Sequence, residues 1–248
     1  MEIRLRFGSE NHREERSLAV TMRTPGHDFE LAAGFLFTEG VVSAPGDILN
    51  IRYCETVKPE EKGNVVRAEL APALAVAWNK FQRNFYVSSS CGVCGKSSIE
   101  AAGRILSPLH DRKPLLSGET LHTLPERLKQ SQTAFTFTGG LHAAGVFNPD
   151  GALVLSREDV GRHNAFDKTV GHLFLNRQLP LAGRILLVSG RASFELVQKC
   201  IAAGAPVLAA VGAPTSLAIE LAREFGLTLV GFLRDRRFNL YTFPERVT

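Results

Sequence analysis

The chain has 248 residues, 44% of them hydrophobic, and carries 29 Lys and Arg against 25 Asp and Glu, for a formal charge of +4. That length and apolar content predict a packed core in one large domain or two. The basic residues are scattered, so the mild positive charge suits anionic ligands in general and singles out no nucleic acid. The start, MEIRLRFGSE, lacks the apolar run of a secretory signal, and no segment offers about 18 consecutive apolar residues. The expectation is a soluble cytoplasmic protein without a membrane partner.

In chain order, the first third mixes short strand-like stretches with one helix. Phe29, Ala32, Ala33 and Leu36 fall at i, i+3, i+4 and i+7 after a turn at Pro25 and Gly26, which predicts a core-facing stripe. Residues 47–87 read as strands with polar connections, and residues 1–87 as a small α+β domain. Residues 88–98, SSSCGVCGKSS, break the pattern with serine and glycine too dense to pack, so 88–115 is expected to be a mobile loop and connection.

From residue 116 to 248 the order is that of an α/β domain. A helix is expected over 117–130, then two strands joined by an Asn-Pro-Asp-Gly turn at 148–151. Next come a helix over 161–176, the strand RILLVSG, a helix over 193–203, the strand PVLAAV, a helix over 215–225 and the strand LTLVGFL. Such alternation predicts a parallel sheet covered by helices with a hairpin at one edge. Ligands of such sheets bind beyond the carboxyl ends of the strands, where SGRAS (189–193), VGAPTS (211–216) and FLRDRR (232–237) are expected as loops. Their arginines, with two helix N-termini, would make an anion site.

Cys91 and Cys94 form a C-x-x-C, which in a reducing compartment points to metal or thiol chemistry rather than a structural disulfide. A structural zinc needs four ligands, and Cys54 and Cys200 are isolated with no histidine pair beside them, so no metal site is expected. The zinc deaminase pattern fails because Ser90 replaces the proline before the cysteines and the H-x-E of His12 and Glu14 lies in a charged run. Gly95, Lys96 and Ser97 resemble the end of a phosphate loop, whose first glycine is replaced by Ser90. A dithiol oxidoreductase stays open, because Lys96 or a following helix would stabilise a thiolate. So does a swinging thiolate that carries sulfane sulfur.

REDVGRHNAFDK places Arg157, Glu158, Asp159, Arg162, His163, Asn164, Asp167 and Lys168 at a strand-to-helix junction. Capping and salt bridges need fewer polar groups than this, so a functional site is expected there. His142 follows Gly139 and Gly140 at a strand entry, and only the neighbouring clusters make it a candidate; His110, His122 and His172 read as structural or exposed.

Together, RTPGHDFELAAGFLFTEG (23–40), SSSCGVCGK (88–96), TGGLHAAG (138–145), REDVGRHNAFDK (157–168), SGRASFELVQK (189–199) and the run from AGAPVLAAVGAPTSLA through GLTLVGFLRDRRFNLYT resemble the formate dehydrogenase accessory sulfurtransferase family, FdhD. The resemblance spans nearly the whole chain in order; Gly212 and Thr215 vary a stretch that usually reads closer to VSAPSSLA. It implies a cytidine-deaminase-like three-layer α/β/α domain with a mixed sheet, without the zinc site, usually as a homodimer. It implies a sulfurtransferase in which a cysteine desulfurase loads sulfur as a persulfide on Cys91, assisted by Cys94. The sulfur then passes to the molybdenum or tungsten bis-pterin guanine dinucleotide cofactor of formate dehydrogenase. The family's cofactor segment falls on Phe232, Leu233, Arg234, Asp235, Arg236 and Arg237, and Arg191, Arg162 and His163 are expected to join it, with GDP as an analogue of the cargo. A cofactor chaperone without covalent sulfur chemistry is the alternative from another class.

Overall fold

A computed structural model describes residues 1–72, 74–76, 78, 99, 106–111, 113 and 115–248. Cys91, Cys94 and the loop expected around them lie outside the described residues. Among the described residues are two mixed sheets and six α-helices.

The first sheet has the order β2-β1-β4-β3, from β1 (Glu2–Ser9), β2 (His12–Val20), β3 (Ile48–Tyr53) and β4 (Val65–Leu70). Helix α1 (Asp28–Thr38) packs on it, entered through Gly26 at φ 100° and His27 at φ 58°. Acidic Asp28 and Glu30 in its first turn complement the positive end of the helix dipole. Ala32, Ala33 and Leu36 are buried as the spacing predicts, but Phe29 is 38% exposed and packs its ring at a tilt against Tyr53 instead. The stripe is displaced because a second face of α1, carrying Leu31, Gly34 and Thr38, is also buried. That face meets α4 (Arg162–Leu175). A Cβ at Gly34 would overlap the Asp167 carbonyl, and one at Gly171 the Glu30 carbonyl, so the two helix backbones touch where only glycine fits.

The second sheet has the order β10-β9-β8-β7-β5-β6, with β5 (His142–Phe147), β6 (Leu153–Asp159), β7 (Ile185–Val188), β8 (Val207–Ala210), β9 (Thr228–Arg234) and β10 (Arg237–Thr242). Strands β7, β8 and β9 run parallel, and the β5–β6 hairpin joins them antiparallel at one edge, as the alternation predicted. Every residue of β7 and β8 is buried, which is why these segments read as unbroken apolar runs. Leu186, Val188, Leu208 and Ala210 face α4, α5 (Phe194–Ala202) and α6 (Ser216–Glu224); Ile185, Leu187, Val207 and Ala209 face Leu121, Leu124 and Leu128 of α2 (Gly118–Ser131). The result is helix, sheet and helix in three layers.

Two elements escape the sequence pattern. Helix α3 (Thr133–Thr138) is a six-residue piece with no buried stripe. FLRDRR, expected as a loop, instead ends β9, turns at Asp235 and Arg236, and starts β10. Both turn residues lie at positive φ, 53° and 57°, as a two-residue hairpin turn requires, but without the Asn-Gly or Asp-Gly pair that announces such turns.

Candidate functional site

The carboxyl ends of β7, β8 and β9 open on one side of the sheet. Because β5 and β6 are antiparallel to each other and β5 is antiparallel to β7, His142 at the start of β5 pairs with Asp159 at the end of β6 at this same end. The three loops that leave the parallel strands are laced together: Gly212 N–H donates to the Gly190 carbonyl at 3.0 Å, and Phe232 N–H to the Gly212 carbonyl at 3.0 Å. A side chain at Gly212 would press on the backbone and Cγ of Arg191. Helices α5 and α6 begin here, capped by Ser193 and Thr215, whose hydroxyls accept from Leu196 N–H and Ala218 N–H. Two helix N-termini therefore point at a rim bearing Arg191, Arg234, Arg236 and Arg237, all exposed, an arrangement suited to anionic groups.

Of the residues expected from sequence, the structure gathers Arg162, His163, Arg191 and Phe232 at this end. His163 is half-buried, with Nε2 3.0 Å from Ser193 Oγ. Burial, then Arg162 and Lys199, bring its pKa down to about 4, so the ring is neutral at pH 7. His142 is lowered too, by burial and by Arg162. Arg162 Nε is shut away from solvent and has no hydrogen-bond partner among the described residues. Phe232 is held at φ 54°, which with Asp235 and Arg236 puts three non-glycine residues in the left-handed region within five positions. Such strain concentrates at binding sites. Leu233 differs from its neighbours in the segment: its side chain is in the core under α2, so it can offer a ligand only backbone atoms.

The remaining polar residues of REDVGRHNAFDK are turned elsewhere. Asp159 and Lys168 form a fully buried pair at 2.7 Å, and Asp159 also accepts from Thr24 N–H, Gly161 N–H and Asn164 Nδ2. Lys168 Nζ donates to the Thr24 carbonyl and Asn164 Nδ2 to that of Met22. One turn on, Asp167 meets Lys199 at 2.9 Å, with Thr38 Oγ1 donating to Asp167 Oδ1 and Glu39 3.1 Å from the ammonium. Burial opposes the charge on Lys199, but two carboxylates outweigh it and raise its pKa, while Asp167 is pushed up by burial. Arg157 bridges to Glu30 at 2.6 Å, and His172 Nδ1 lies 2.9 Å from the same carboxylate. Glu158 accepts from Ala134 N–H and Phe135 N–H and so anchors α3. These groups tie α1 and the segment before it to α4. They form a buried structural seam.

Among the described residues no group of three or more His, Cys, Asp or Glu could hold a metal ion. Cys54 and Cys200 are buried, and burial raises both thiols, so neither is a ready thiolate.

The family model that matches the chain, over residues 11–248, is that of the FdhD/NarQ family. The chain belongs to this family. Relatives named sulfur carrier protein FdhD include those of Streptomyces coelicolor, 53% identical over 94% of this chain and 84% of that one, and Mycolicibacterium paratuberculosis, 50% over 93% and 86%. A third, from Saccharolobus solfataricus, is 43% identical over 92% and 83%. The fold is also that of a crystal structure from Desulfotalea psychrophila, described as a formate dehydrogenase accessory protein. The two superpose with a TM-score of 0.69 at 24% identity over all of this chain and 90% of the other.

FdhD/NarQ membership accounts for the order of the motifs, but several residues of the sheet end carry no advance signal. Ser193 and Ser189 lie inside quoted motifs yet look like ordinary turn residues; Ser189 Oγ in fact accepts from Ala143 N–H. Gln132 and Phe135 stand outside every motif. They line a cavity of about 420 Å³ that opens beside His142 and Ser189.

Proposed function

We propose that this chain is a sulfur carrier serving formate dehydrogenase. The observation that carries the reading is the 43–53% identity, over more than nine-tenths of the chain, to relatives named for that role. Cys91 takes the donor's sulfur as a thiolate: it attacks the outer sulfur of a persulfide on a cysteine desulfurase, a new S–S bond forms on Cys91, and the desulfurase thiolate leaves. Release follows when the Cys94 thiolate attacks the inner sulfur of the Cys91 persulfide. The outer sulfur departs as hydrosulfide, two cysteines are oxidised to a disulfide, and a cellular dithiol later reduces them.

The acceptor is the molybdenum or tungsten bis-pterin guanine dinucleotide, bound as cargo at the sheet end. Its two pyrophosphates suit Arg191, Arg162, the helix N-termini of α5 and α6, and the strained segment Phe232–Arg237. His163, neutral and fixed on Ser193, is a hydrogen-bonding partner there. The reading takes residues 1–87, 88–115 and 116–248 as accessory domain, carrier loop and cargo domain, and places the protein in the cytoplasm as a homodimer. No helix among the described residues is long and apolar enough to cross a membrane.

Intact-protein mass spectrometry after incubation with a cysteine desulfurase and cysteine tests the chemistry. One added sulfur is expected on the wild type and none on Cys91→Ser. Full formate dehydrogenase activity in cells carrying only Cys91→Ser would favour a cofactor chaperone without covalent sulfur transfer.

A further inference from the structure

Helices α1, α5 and α6 are each closed by a glycine in the left-handed region, Gly40, Gly204 and Gly226 at φ 71°, 75° and 75°. Helix α4 closes in the same way, with Arg177 N–H donating to the Phe174 carbonyl at 3.0 Å and Gln178 N–H to that of Leu173 at 2.8 Å. Its left-handed residue, however, is Arg177, at φ 57°. Glycine takes that position without strain and arginine does not. No contact inside the chain offsets the strain: Arg177 is exposed and has no hydrogen bond or ion pair among the described residues. Strain kept without an internal contact points outward, to something the side chain meets.

Arg177 lines a cavity of about 450 Å³ between the ends of α1 and α4 and the turn Pro45–Asp47. That volume lies in the range of small-molecule sites. Phe37 and Phe174 wall it, with ring centroids 5.0 Å apart and planes tilted by 33°, and Leu179 and Pro45 extend the apolar lining. Gly46 leaves the outer side bare, since a Cβ there would meet nothing within 4 Å. The polar groups of the turn are already spent: Ser43 N–H, Ser43 Oγ and Ala44 N–H all donate to Asp47 Oδ2, at 2.7, 3.0 and 2.9 Å. The free charge on the lining is the Arg177 cation.

We propose that this cavity binds a small amphiphilic carboxylate, its apolar body against Phe37 and Phe174 and its head on Arg177. A guanidinium takes a carboxylate in two parallel hydrogen bonds, and the apolar wall beside it selects acids whose body covers the rings. The cavity is remote from the cargo site, because α4 runs 14 residues, about 21 Å, from Arg162 at the sheet end to Leu175 at this end. The inference therefore goes beyond the cargo reading and stands if that reading falls. Phe37 belongs to α1 and Phe174 to α4, so an occupant bridges the two helices of the seam and stabilises the fold by mass action.

The test is titration of the full-length protein, wild type, Arg177→Gly and Arg177→Lys, with octanoate, phenylpropionate and the uncharged phenylpropionamide, followed by amide chemical shifts and melting temperature. With at least one of the acids, saturable shifts are expected in the wild type at residues 37, 44, 46, 174, 177 and 179, and a melting temperature that rises with ligand concentration. Arg177→Gly is expected to bind the acid about tenfold or more weakly, as the wild type binds the amide. Without ligand the same variant is expected to melt at, or up to about 3 °C above, the wild-type temperature, because glycine relieves the strain. An arginine with a purely structural role would not give that pair of results. Arg177→Lys keeps the charge but not the fork and is expected to fall between the two. No shift at these amides with either acid at about 10 mM, or equal affinity of wild type and Arg177→Gly, would overturn the site. Binding of N-acetyl-Phe-Glu-amide but of neither free acid would also overturn it and assign the cavity to a side chain of a protein partner.

Discussion

The seam and the sheet end both draw on the same short segment, REDVGRHNAFDK, and they treat charge in opposite ways. Asp159, Asp167, Lys168 and Lys199 are buried, and each finds partners within the chain. Around the sheet end, Arg162 Nε is left without a partner among the described residues, and Arg191, Arg234 and Arg236 are exposed to solvent. A buried polar group with all its bonds made stabilises one arrangement of helices, whereas one with a bond missing contributes less to stability. The distinction separates the structural seam from the proposed cargo site within a dozen residues.

The strongest way to break that separation is Lys199→Met. It strips the cation from between Asp167 and Glu39 and leaves a buried carboxylate, so a loss of about 3–5 kcal/mol is expected in urea unfolding. A loss under about 1 kcal/mol would place the seam with ordinary surface pairs. Gly171→Ala comes next, at about 3 kcal/mol, because its methyl would overlap the Glu30 carbonyl and drive α1 away from α4. Arg191→Ala sharpens the other side: on the order of tenfold weaker GDP binding, with stability within about 0.5 kcal/mol of wild type. Equal effects on binding from Lys199→Met and Arg191→Ala, measured on folded protein, would erase the contrast.

A further effect is in pH. His163 sits at about 4 in the folded chain against an ordinary 6.5, so between those values the unfolded chain takes up a proton that the folded one refuses. Stability therefore falls as pH drops from 6.5 toward 4. His163→Gln should flatten the denaturation midpoint over that window, with the residual slope coming from groups such as His142; an unchanged slope would mean the ring is not held neutral.

The units β7, α5, β8, α6 and β9 could be read in advance because buried parallel strands are unbroken apolar runs and their helices have capped starts at Ser193 and Thr215. The turn at Asp235 and Arg236 could not, since its left-handed backbone is carried by residues that do not favour it. The place of Arg162, His163 and Arg191 at the sheet end could be read because polar residues just past strands in an α/β alternation lie at the strands' carboxyl ends. The seam itself could not be read in advance: Thr24, Glu30 and Thr38, which meet Asp159, Arg157 and Asp167, are far off in sequence and come together with them only through α1 and the segment before it. The unpartnered Nε of Arg162 is the converse case, since a missing partner among the described residues is visible only in three dimensions.

Amide chemical-shift mapping of the labelled protein titrated with GDP tests the central claim most directly. Shifts are predicted at residues 132–142, 189–193, 212–215 and 232–237, with the amides of residues 24, 38 and 199 unmoved. Shifts concentrated at the seam, or none at the sheet end at saturating GDP, would contradict it.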